Sequence, residues 1–303
     1  MGMNLKHAVV IGSSGRLGRM LRARWRVKPD LPFRPIYQSR DPLASADLVW
    51  SSLTGAAGFA TDLQKILGAP RQSVEGVELQ NDSVMVVFAG VTPSSSGNLE
   101  DNTPITRACL QAASAANITR VLIASSSAVY GTTHPDSALT EGMSLTATSV
   151  YGRQKQQMEQ LCALSEWASL QISVLRIGNV AGADALMLNH AKAPTELLEL
   201  DIFADGKSLR RSYIGPETLA DVIQSLIMAP QPLPKVLNVS APLPIYMDDL
   251  AQAAGIAWRP RAAPEGLRQQ ITLDTSLIET LHHFALCDSS PSTMCQQMKR
   301  IGL

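Results

Sequence analysis

Paired cysteines are absent from this sequence. Its four cysteines, Cys109, Cys162, Cys287 and Cys295, form no Cys-x-x-Cys motif. Isolated cysteines are typical of reduced thiols and do not suggest a disulfide framework. The N-terminus also has no charged segment followed by an apolar leader, so we expect a cytoplasmic protein.

An excess of one charge and a long apolar run are missing as well. Lys and Arg number 26, and Asp and Glu number 26, which gives no reason to expect nucleic acid as a partner. No uninterrupted apolar stretch is long enough to span a bilayer, so we expect no membrane partner. His282 and His283 are neighbours that would diverge by about 100° on a helix, and the other three histidines are scattered, so we predict no metal site.

The chain is organised around residues 7–18, HAVVIGSSGRLG. The apolar run 8–11 predicts a strand buried on both faces. Gly12, Gly15 and Gly18 follow, and a helical pattern comes next. In that setting the first glycine permits a tight turn, the second lets the backbone approach a pyrophosphate, and the third lets the helix pack close to the strand. A glycine-rich turn without a ligand is the alternative.

A dinucleotide at this turn would meet unpaired N–H groups at the start of the helix. The residues predicted to hold its phosphates are Gly12, Ser14, Gly15, Arg16, Leu17 and Gly18.

The second predicted strand, residues 33–40, bears on the choice of cofactor. An acidic residue about 20 positions past the glycines would bind the ribose 2′-hydroxyl of NAD, but this strand ends Gln38-Ser39-Arg40. Ser39 and Arg40 could accept a 2′-phosphate, which a carboxylate would repel. We therefore predict NADP as the preferred cofactor. Asp41 keeps NAD as an alternative, and Arg40 would then simply face solvent.

Strands and helices alternate through about the first 180 residues, which indicates a Rossmann-type doubly wound parallel sheet. We predict a nucleotide-binding domain at 1–180, to which 213–240 return. Residues 181–212 and 241–303 would form a small, partly discontinuous C-terminal substrate lobe, with a proline-containing loop at 259–266 and a helix at 276–284. Ala89 ends the buried strand 84–89, and Gly90 and Val91 follow it. All three should lie beside the cofactor.

Tyr151 and Lys155 are four residues apart on a predicted helix and therefore share one face. Hydride transfer at an oxygen-bearing carbon requires a proton to move at that oxygen. A tyrosine can move it if its pKa falls from about 10 toward neutrality, which a nearby ammonium favours. We assign Tyr151 as acid/base, Lys155 as the group that lowers its pKa, and Ser126 as the donor that orients the substrate oxygen.

These motifs together resemble the extended short-chain dehydrogenase/reductases, the NAD(P)-dependent epimerase/dehydratase group. The matches, in chain order, are Gly12-x-x-Gly15-x-x-Gly18, Ala89-Gly90, Asn102, Ser125-Ser126-Ser127-Ala128-Val129-Tyr130-Gly131, Tyr151-x-x-x-Lys155 and Arg176-Ile177-Gly178-Asn179-Val180, with weaker ones at Arg211-Ser212-Tyr213-Ile214, Leu219-Ala220-Asp221-Val222 and Asn238-Val239.

The resemblance places the family's catalytic Ser/Thr on Ser126, with Ser127 as the second choice and Ser125 as structural. It implies that Ile177 and Asn179 contact the cofactor, and that Asn179 lies near nicotinamide or substrate. Thr92 and Ser127 are further substrate candidates. Arg211 matches an arginine that often meets nucleotide-sugar phosphates; an arginine on the surface is the alternative. Helices at 106–116 and 149–167 pair subunits in many relatives, which implies a homodimer.

The sequence departs from the family at four places. Sugar dehydratases usually carry Asp-Glu where Ser127-Ala128 stand, so dehydration lacks its extra acid and base. Ala181-Gly182-Ala183 replaces Tyr-Gly-Pro, residues 215–218 replace an Asp-rich pattern, and the lobe is short. We expect an NAD(P)-dependent oxidoreductase or epimerase acting at a hydroxyl/carbonyl carbon of a small molecule, which could be a sugar or nucleotide-sugar. A carbonyl reductase on a small non-sugar substrate and a non-catalytic NADP(H)-sensing protein are the alternatives.

Overall fold

The computed structural model describes residues 6–42, 45–52, 55–67, 81–132 and 137–302. The strands, numbered along the chain, are β1 (Lys6–Ile11), β2 (Phe33–Ser39), β3 (Leu48–Val49), β4 (Asn81–Val87), β5 (Ile118–Ser126), β6 (Gln171–Ile177), β7 (Asn179–Val180), β8 (Leu198–Ile202), β9 (Arg210–Arg211), β10 (Tyr213–Ile214), β11 (Val236–Val239), β12 (Ile245–Tyr246), β13 (Trp258–Ala262) and β14 (Gln270–Ile271). The helices are α1 (Arg16–Arg26), α2 (Ala56–Leu67), α3 (Asn102–Ala115), α4 (Val150–Cys162), α5 (Ala185–Lys192), α6 (Pro216–Met228), α7 (Met247–Ala254), α8 (Ser276–Glu279) and α9 (Pro291–Arg300).

The central sheet has seven strands in the described part of the chain, in the order β11-β6-β5-β4-β1-β2-β3. Neighbouring strands in it are parallel. The strand order reverses between β1 and β4, and ligands bind at such a switch point in open α/β sheets. The predicted Rossmann-type doubly wound sheet is confirmed.

Both faces of the sheet are buried, because alternate residues of each strand point to opposite sides. Val9 and Ile11 pack on one face with apolar residues of α2, α3 and α4. Ala8 and Val10 pack on the other face with residues of α1 and α6. The uninterrupted apolar run at 8–11 therefore has the structure that its composition predicts.

The lobe contains a strand where a loop was predicted. Residues 258–262 form β13 and pair in parallel with β8, so the predicted loop at 259–266 is wrong over its first part. Arg259 forms an ion pair with Glu199, and Arg261 forms one with Asp201 at 2.7 Å. These cross-strand pairs stabilise β13, which is mostly exposed and carries two arginines and a proline, so its own sequence does not indicate a strand.

The helix predicted at 276–284 is also shorter in the structure, since α8 ends at Glu279. A hydrophobic cluster separate from the two that flank the sheet includes Leu186, Leu200, Leu250 and Met294. On this basis we propose a nucleotide-binding domain at 1–180 with 213–240 returning to it, and a lobe at 181–212 and 241–303. Among the described residues, no helix combines the length and the apolar character needed to cross a membrane.

Candidate active site

Two glycines of the β1–α1 turn are enclosed by backbone. Gly12 has a φ of +82°, and a Cβ there would lie 2.5 Å from the Ala89 nitrogen. A Cβ on Gly18 would lie 2.5 Å from the Ser13 Cα. Neither position accommodates a side chain without moving backbone.

The outer side of the turn has room for a diphosphate. A Cβ on Gly15 would meet only the Gly12 carbonyl oxygen, at 3.2 Å, within 4 Å. Gly15 is the N-cap of α1, no side chain caps this helix, and its first turn carries no acidic residue. The first N–H groups of α1 therefore offer an electropositive end to an anion. Ser14 is exposed, and Leu17 packs against the sheet core. The residues present fit a dinucleotide.

Arg16 connects the start of α1 to the loop that follows β4, across the switch point of the sheet. Its Nη2 donates hydrogen bonds to Thr92 Oγ1 at 2.7 Å and to Ser94 Oγ at 2.6 Å. Thr92 follows β4 and is predicted to contact substrate; in the structure its hydroxyl accepts the hydrogen bond from Arg16. Sequence reasoning missed this contact because no local pattern relates position 16 to position 94.

The end of β2 places a neutral glutamine against the glycine turn. Gln38 Oε1 accepts a hydrogen bond from the Gly12 N–H at 2.8 Å, and its Nε2 donates to the Trp50 carbonyl at 3.2 Å. Ser39 is buried, and its Oγ accepts from the Asp41 N–H at 3.1 Å. Arg40 is exposed. Of the two residues predicted to hold a 2′-phosphate, Arg40 is therefore the one that extends from the surface.

A cavity of about 410 Å³ opens next to the end of β5. It brings together five predicted residues, namely Ser126, Ser127, Tyr151, Asn179 and Arg211. Its other lining residues, which sequence reasoning missed, are Pro93, Ala128, Gly131, Thr132, Thr148, Ser149, Ser212, Ile271 and Leu273. The last two come from the lobe, where no motif marks them.

Tyr151 lies in the first turn of α4. Ser149 caps this helix, since its Oγ accepts from the Gly152 N–H at 3.0 Å. Tyr151 and Ser126 lie on the wall of the same cavity. Burial raises the pKa of Tyr151, whereas the neighbouring Ser126 side chain and the charge of Arg16 lower it. The cation that acts on the phenol in this structure is thus Arg16, a residue that was predicted only to bind cofactor.

Lys155 lies one turn further along α4. Its Nζ donates to the Ala124 carbonyl at 2.9 Å, and its side chain is buried. Burial lowers the pKa of Lys155 to about 8, although the Glu159 carboxylate opposes this shift. A Cβ on Gly90 would lie 3.5 Å from the Lys155 Nζ, so the ammonium lies beside the stretch 89–91 that was predicted to line the cofactor crevice.

The stretch after β4 is held by one asparagine. Asn102 Oδ1 accepts from the Val91 N–H at 3.1 Å, and its Nδ2 donates to the Val91 carbonyl at 3.0 Å. Ala89 donates its N–H to the Ile11 carbonyl at 3.0 Å. These bonds fix the backbone that faces Lys155. Ile177 is buried in the sheet core, so only its backbone could approach a cofactor.

A buried polar network lies next to the catalytic candidates. Ser125 Oγ donates to Glu159 Oε1 at 2.5 Å, and Arg176 Nη2 donates to Glu159 Oε2 at 2.8 Å. Arg176 Nη1 donates to the Tyr130 hydroxyl at 3.0 Å. Because these residues come from β5, the segment 127–130, α4 and β6, the network fixes Ser126 and Lys155 relative to each other. Ser125 has the structural place predicted for it.

Arg211 adds a positive charge to the cavity wall. Its guanidinium donates to the carbonyls of Gln269 at 2.6 Å, Arg210 at 2.8 Å and Arg268 at 3.2 Å. Burial lowers the pKa of Arg211 to about 10. Carbonyl partners do not neutralise its charge, so this part of the wall favours an anionic group. Among the described residues, no cluster of His, Cys, Asp and Glu could hold a metal ion.

A model of the NAD dependent epimerase/dehydratase family matches residues 69–220, half of the chain. The chain belongs to that family. It is an enzyme of the epimerase/dehydratase type. The matched segment of this family member contains Ser126, Tyr151, Lys155, Asn179 and Arg211. A search of curated protein sequences gave no match.

Solved structures share the fold of this epimerase/dehydratase over nearly its whole length. A UDP-glucose 4-epimerase from Brucella ovis in complex with NAD has 19% identity and a TM-score of 0.73, covering 96% of this chain and 97% of that one. A UDP-N-acetylglucosamine 4-epimerase from Methanobrevibacter ruminantium, with UDP-N-acetylmuramic acid, has 19% identity, a TM-score of 0.70 and 98% coverage of both chains. A dTDP-glucose 4,6-dehydratase from Bacillus anthracis with NAD has 13% identity and a TM-score of 0.68, covering 98% of this chain and 97% of that one.

Proposed function

We propose that this family member is an NADP-dependent oxidoreductase or epimerase that acts at a hydroxyl/carbonyl carbon, with Tyr151 as the acid/base. The observation that carries the proposal is that the side chains of Ser126 and Tyr151 line one cavity, with Lys155 one turn further along α4. Two hydroxyls that converge on one point can hold a substrate oxygen and move its proton.

The residues divide the chemistry among them. A bound nicotinamide supplies or accepts the hydride. Ser126 donates to the substrate oxygen and fixes its position, while Tyr151 takes or gives the proton at that oxygen. Arg16 keeps positive charge near the phenol, which offsets part of the burial that raises its pKa, and Lys155 lies one turn further along α4. The neutral lining from Ile271 and Leu273 excludes water from the reacting carbon.

The cofactor preference rests on the end of β2. Gln38 is neutral, Ser39 is buried, and Arg40 is the exposed cation at this corner, next to the exposed Asp41. A 2′-phosphate would find a bidentate partner in Arg40. Epimerase and dehydratase structures with this fold contain NAD. The proposal therefore requires that this protein bind NADP more tightly than NAD.

The proposed substrate is a nucleotide-sugar. Arg211 holds an uncompensated positive charge on the cavity wall, suited to a phosphate. A neighbour with this fold was solved with a UDP-sugar derivative. We also propose that the enzyme is cytoplasmic and forms a homodimer through α3 and α4, by analogy with its family.

The test is turnover by the purified protein, with NADP⁺ or NAD⁺ for a panel of sugar nucleotides and with NADPH or NADH for small ketones. Absorbance reports the redox state of the nicotinamide, and chromatography reports any epimer. The proposal expects turnover of a nucleotide-sugar and its loss, by about 10²-fold or more, in Tyr151→Phe with NADPH binding retained. Tyr37→Phe, on β2, is the control. Undiminished turnover in Tyr151→Phe would refute the role of Tyr151, and reduction of simple ketones alone would refute the nucleotide-sugar assignment.

A further inference from the structure

Asn238, on β11, is a sequence match to the family that the proposed mechanism does not use. It is fully buried and stands in register with Arg176 on the neighbouring parallel strand β6, so the two side chains point to the same face. A buried amide needs partners at both its oxygen and its nitrogen. The partners of this amide come from three separate segments of the chain.

The oxygen of the Asn238 amide faces the segment that follows Ser126. Oδ1 accepts from the Tyr130 hydroxyl at 2.7 Å, and that hydroxyl accepts in turn from Arg176 Nη1 at 3.0 Å. A guanidinium can only donate, and a tyrosine hydroxyl has one proton. The direction of both bonds is therefore determined.

The nitrogen of the same amide holds two main-chain carbonyls from different parts of the fold. Nδ2 donates to the Leu139 carbonyl at 2.8 Å and to the Asp274 carbonyl at 3.1 Å. Leu139 lies in the loop that leads to α4, whereas Asp274 directly follows Leu273 of the cavity wall. Carbonyl oxygens only accept, so the opposite orientation of the amide would lose both bonds.

We infer that Asn238 is a positioning residue that holds the segment 271–274, the lobe's part of the cavity wall, against the nucleotide-binding half of the protein. Its amide joins the two sides of the bridge between Leu139 and Leu273. Because Asn238 is fully buried, it acts on a substrate only through this wall. The substrate side of the inference rests on the proposed function, because it takes the cavity as the substrate site. The attachment of the wall does not.

The alternative is that Asn238 only satisfies polar groups of the interior and stabilises the fold as a whole. In that case its loss would accelerate amide exchange evenly through the protein. If it holds the wall, the acceleration is confined to the wall and to its partner at Leu139, because amides that exchange by local opening report the stability of their own segment.

The experiment is hydrogen exchange of the whole protein, followed by mass spectrometry of its peptides. Asn238→Asp keeps an acceptor for the Tyr130 hydroxyl but turns a carboxylate oxygen toward the two carbonyls. We expect amides of Leu139 and 272–274 to exchange about tenfold or more faster, since two hydrogen bonds are lost, while β1 and β4 keep the wild-type rates.

Two further variants complete the exchange experiment. Asn238→Ala removes the donors without adding a charge and should accelerate exchange in the same segments, so it decides the question if Asn238→Asp does not fold. Asn189→Asp, at an exposed position of α5, is the matched control and should change neither segment. Circular dichroism establishes that each variant folds.

Turnover tests the substrate side of the inference. Both Asn238 variants should raise KM for the nucleotide-sugar about fivefold or more, with kcat within about twofold of the wild type and the NADPH dissociation constant unchanged. A merely structural loss would lower the active fraction, and with it kcat rather than KM.

Exchange in 272–274 that stays at the wild-type rate, or that accelerates equally in β1 and β4, would overturn the inference. An unchanged KM would overturn its substrate side. Because the exchange measurement involves no substrate, the attachment of the wall can fail while the proposed function stands, and the reverse also holds.

Discussion

The ammonium of Lys155 donates to the carbonyl oxygen of Ala124 at 2.9 Å and is buried against the end of β5. A buried ammonium costs stability, and the cost appears as a pKa lowered to about 8 from an ordinary 10.5. Below about pH 8 the folded protein carries the full penalty. Between about 8 and 10.5 the unfolded chain binds more protons than the folded one, so this group's contribution to stability rises with pH.

Lys155→Met should therefore stabilise the protein at neutral pH while it removes activity. We expect a gain of about 1–3 kcal/mol in the free energy of unfolding, measured by denaturant titration. The gain should shrink as the pH rises toward about 10, because the wild type loses its penalty there. Lys65→Met is the control, since Lys65 is exposed beside Asp62. If the gain in the free energy of unfolding of Lys155→Met stays constant with pH, burial of the Lys155 ammonium is not its cause.

Arg16→Ala should weaken binding of NADPH. The guanidinium bridges α1 and the loop after β4 at the point where a diphosphate would lie. Loss of a charged donor there should raise the dissociation constant about tenfold or more, measured by nicotinamide fluorescence. Activity should also need a higher pH, because Arg16 lowers the pKa of Tyr151.

Arg19→Ala is the matched control for Arg16→Ala. Arg19 is exposed one turn further along α1. The Arg19→Ala substitution should leave both the dissociation constant for NADPH and the pH profile of activity close to those of the wild type. Equal losses in the two variants would mean that general positive charge, rather than the bridge to Thr92 and Ser94, explains the effect.

Arg40→Asp should shift binding from NADPH toward NADH. A carboxylate at this exposed position would repel a 2′-phosphate and could accept the ribose hydroxyls. We expect the ratio of the two dissociation constants to change by about tenfold or more. Arg34→Asp, at the exposed start of the same strand, should leave the ratio unchanged. An unchanged ratio in Arg40→Asp would disprove the NADP assignment to this residue.

Gly18→Ala should destabilise the glycine turn, because its Cβ would lie 2.5 Å from the Ser13 Cα. We expect a loss of about 2–4 kcal/mol in unfolding free energy together with loss of dinucleotide binding. Gly58→Ala in α2 has nothing within 4 Å of its Cβ and should stabilise by about 0.5–1 kcal/mol. Thermal unfolding compares the two variants with the wild type. If both substitutions shift the unfolding temperature by similar amounts, the close contact between the Gly18 position and the Ser13 backbone is not the cause.

The sheet and the glycine turn could be predicted because their signals are local. An apolar run, three spaced glycines and a Tyr–Lys pair on one helix face can each be identified within a few residues. The order of these signals then indicates a parallel sheet, and parallel strands place their ends together. This is why Ser126, Tyr151 and Asn179 were expected at one site and lie on one cavity.

The parts that could not be predicted depend on distant pairing. β13 carries charged and proline residues, and only its partner β8 makes it a strand. Ile271 and Leu273 reach the cavity through contacts with β9 and with Leu139. Tyr213 and Asn179 are far apart in the sequence, and they become neighbours only when β7 pairs with β10.

The pairing of Leu139 with Leu273 has a consequence for synthesis on the ribosome. Leu139 donates its N–H to the Thr272 carbonyl at 2.8 Å, and its own carbonyl accepts from the Asp274 N–H at 2.9 Å. A nascent chain that has emerged through β6 already has the glycine turn and Lys155, but it lacks Leu273 and the part of the cavity wall that Leu273 forms. In the order of synthesis the cavity wall is therefore completed last.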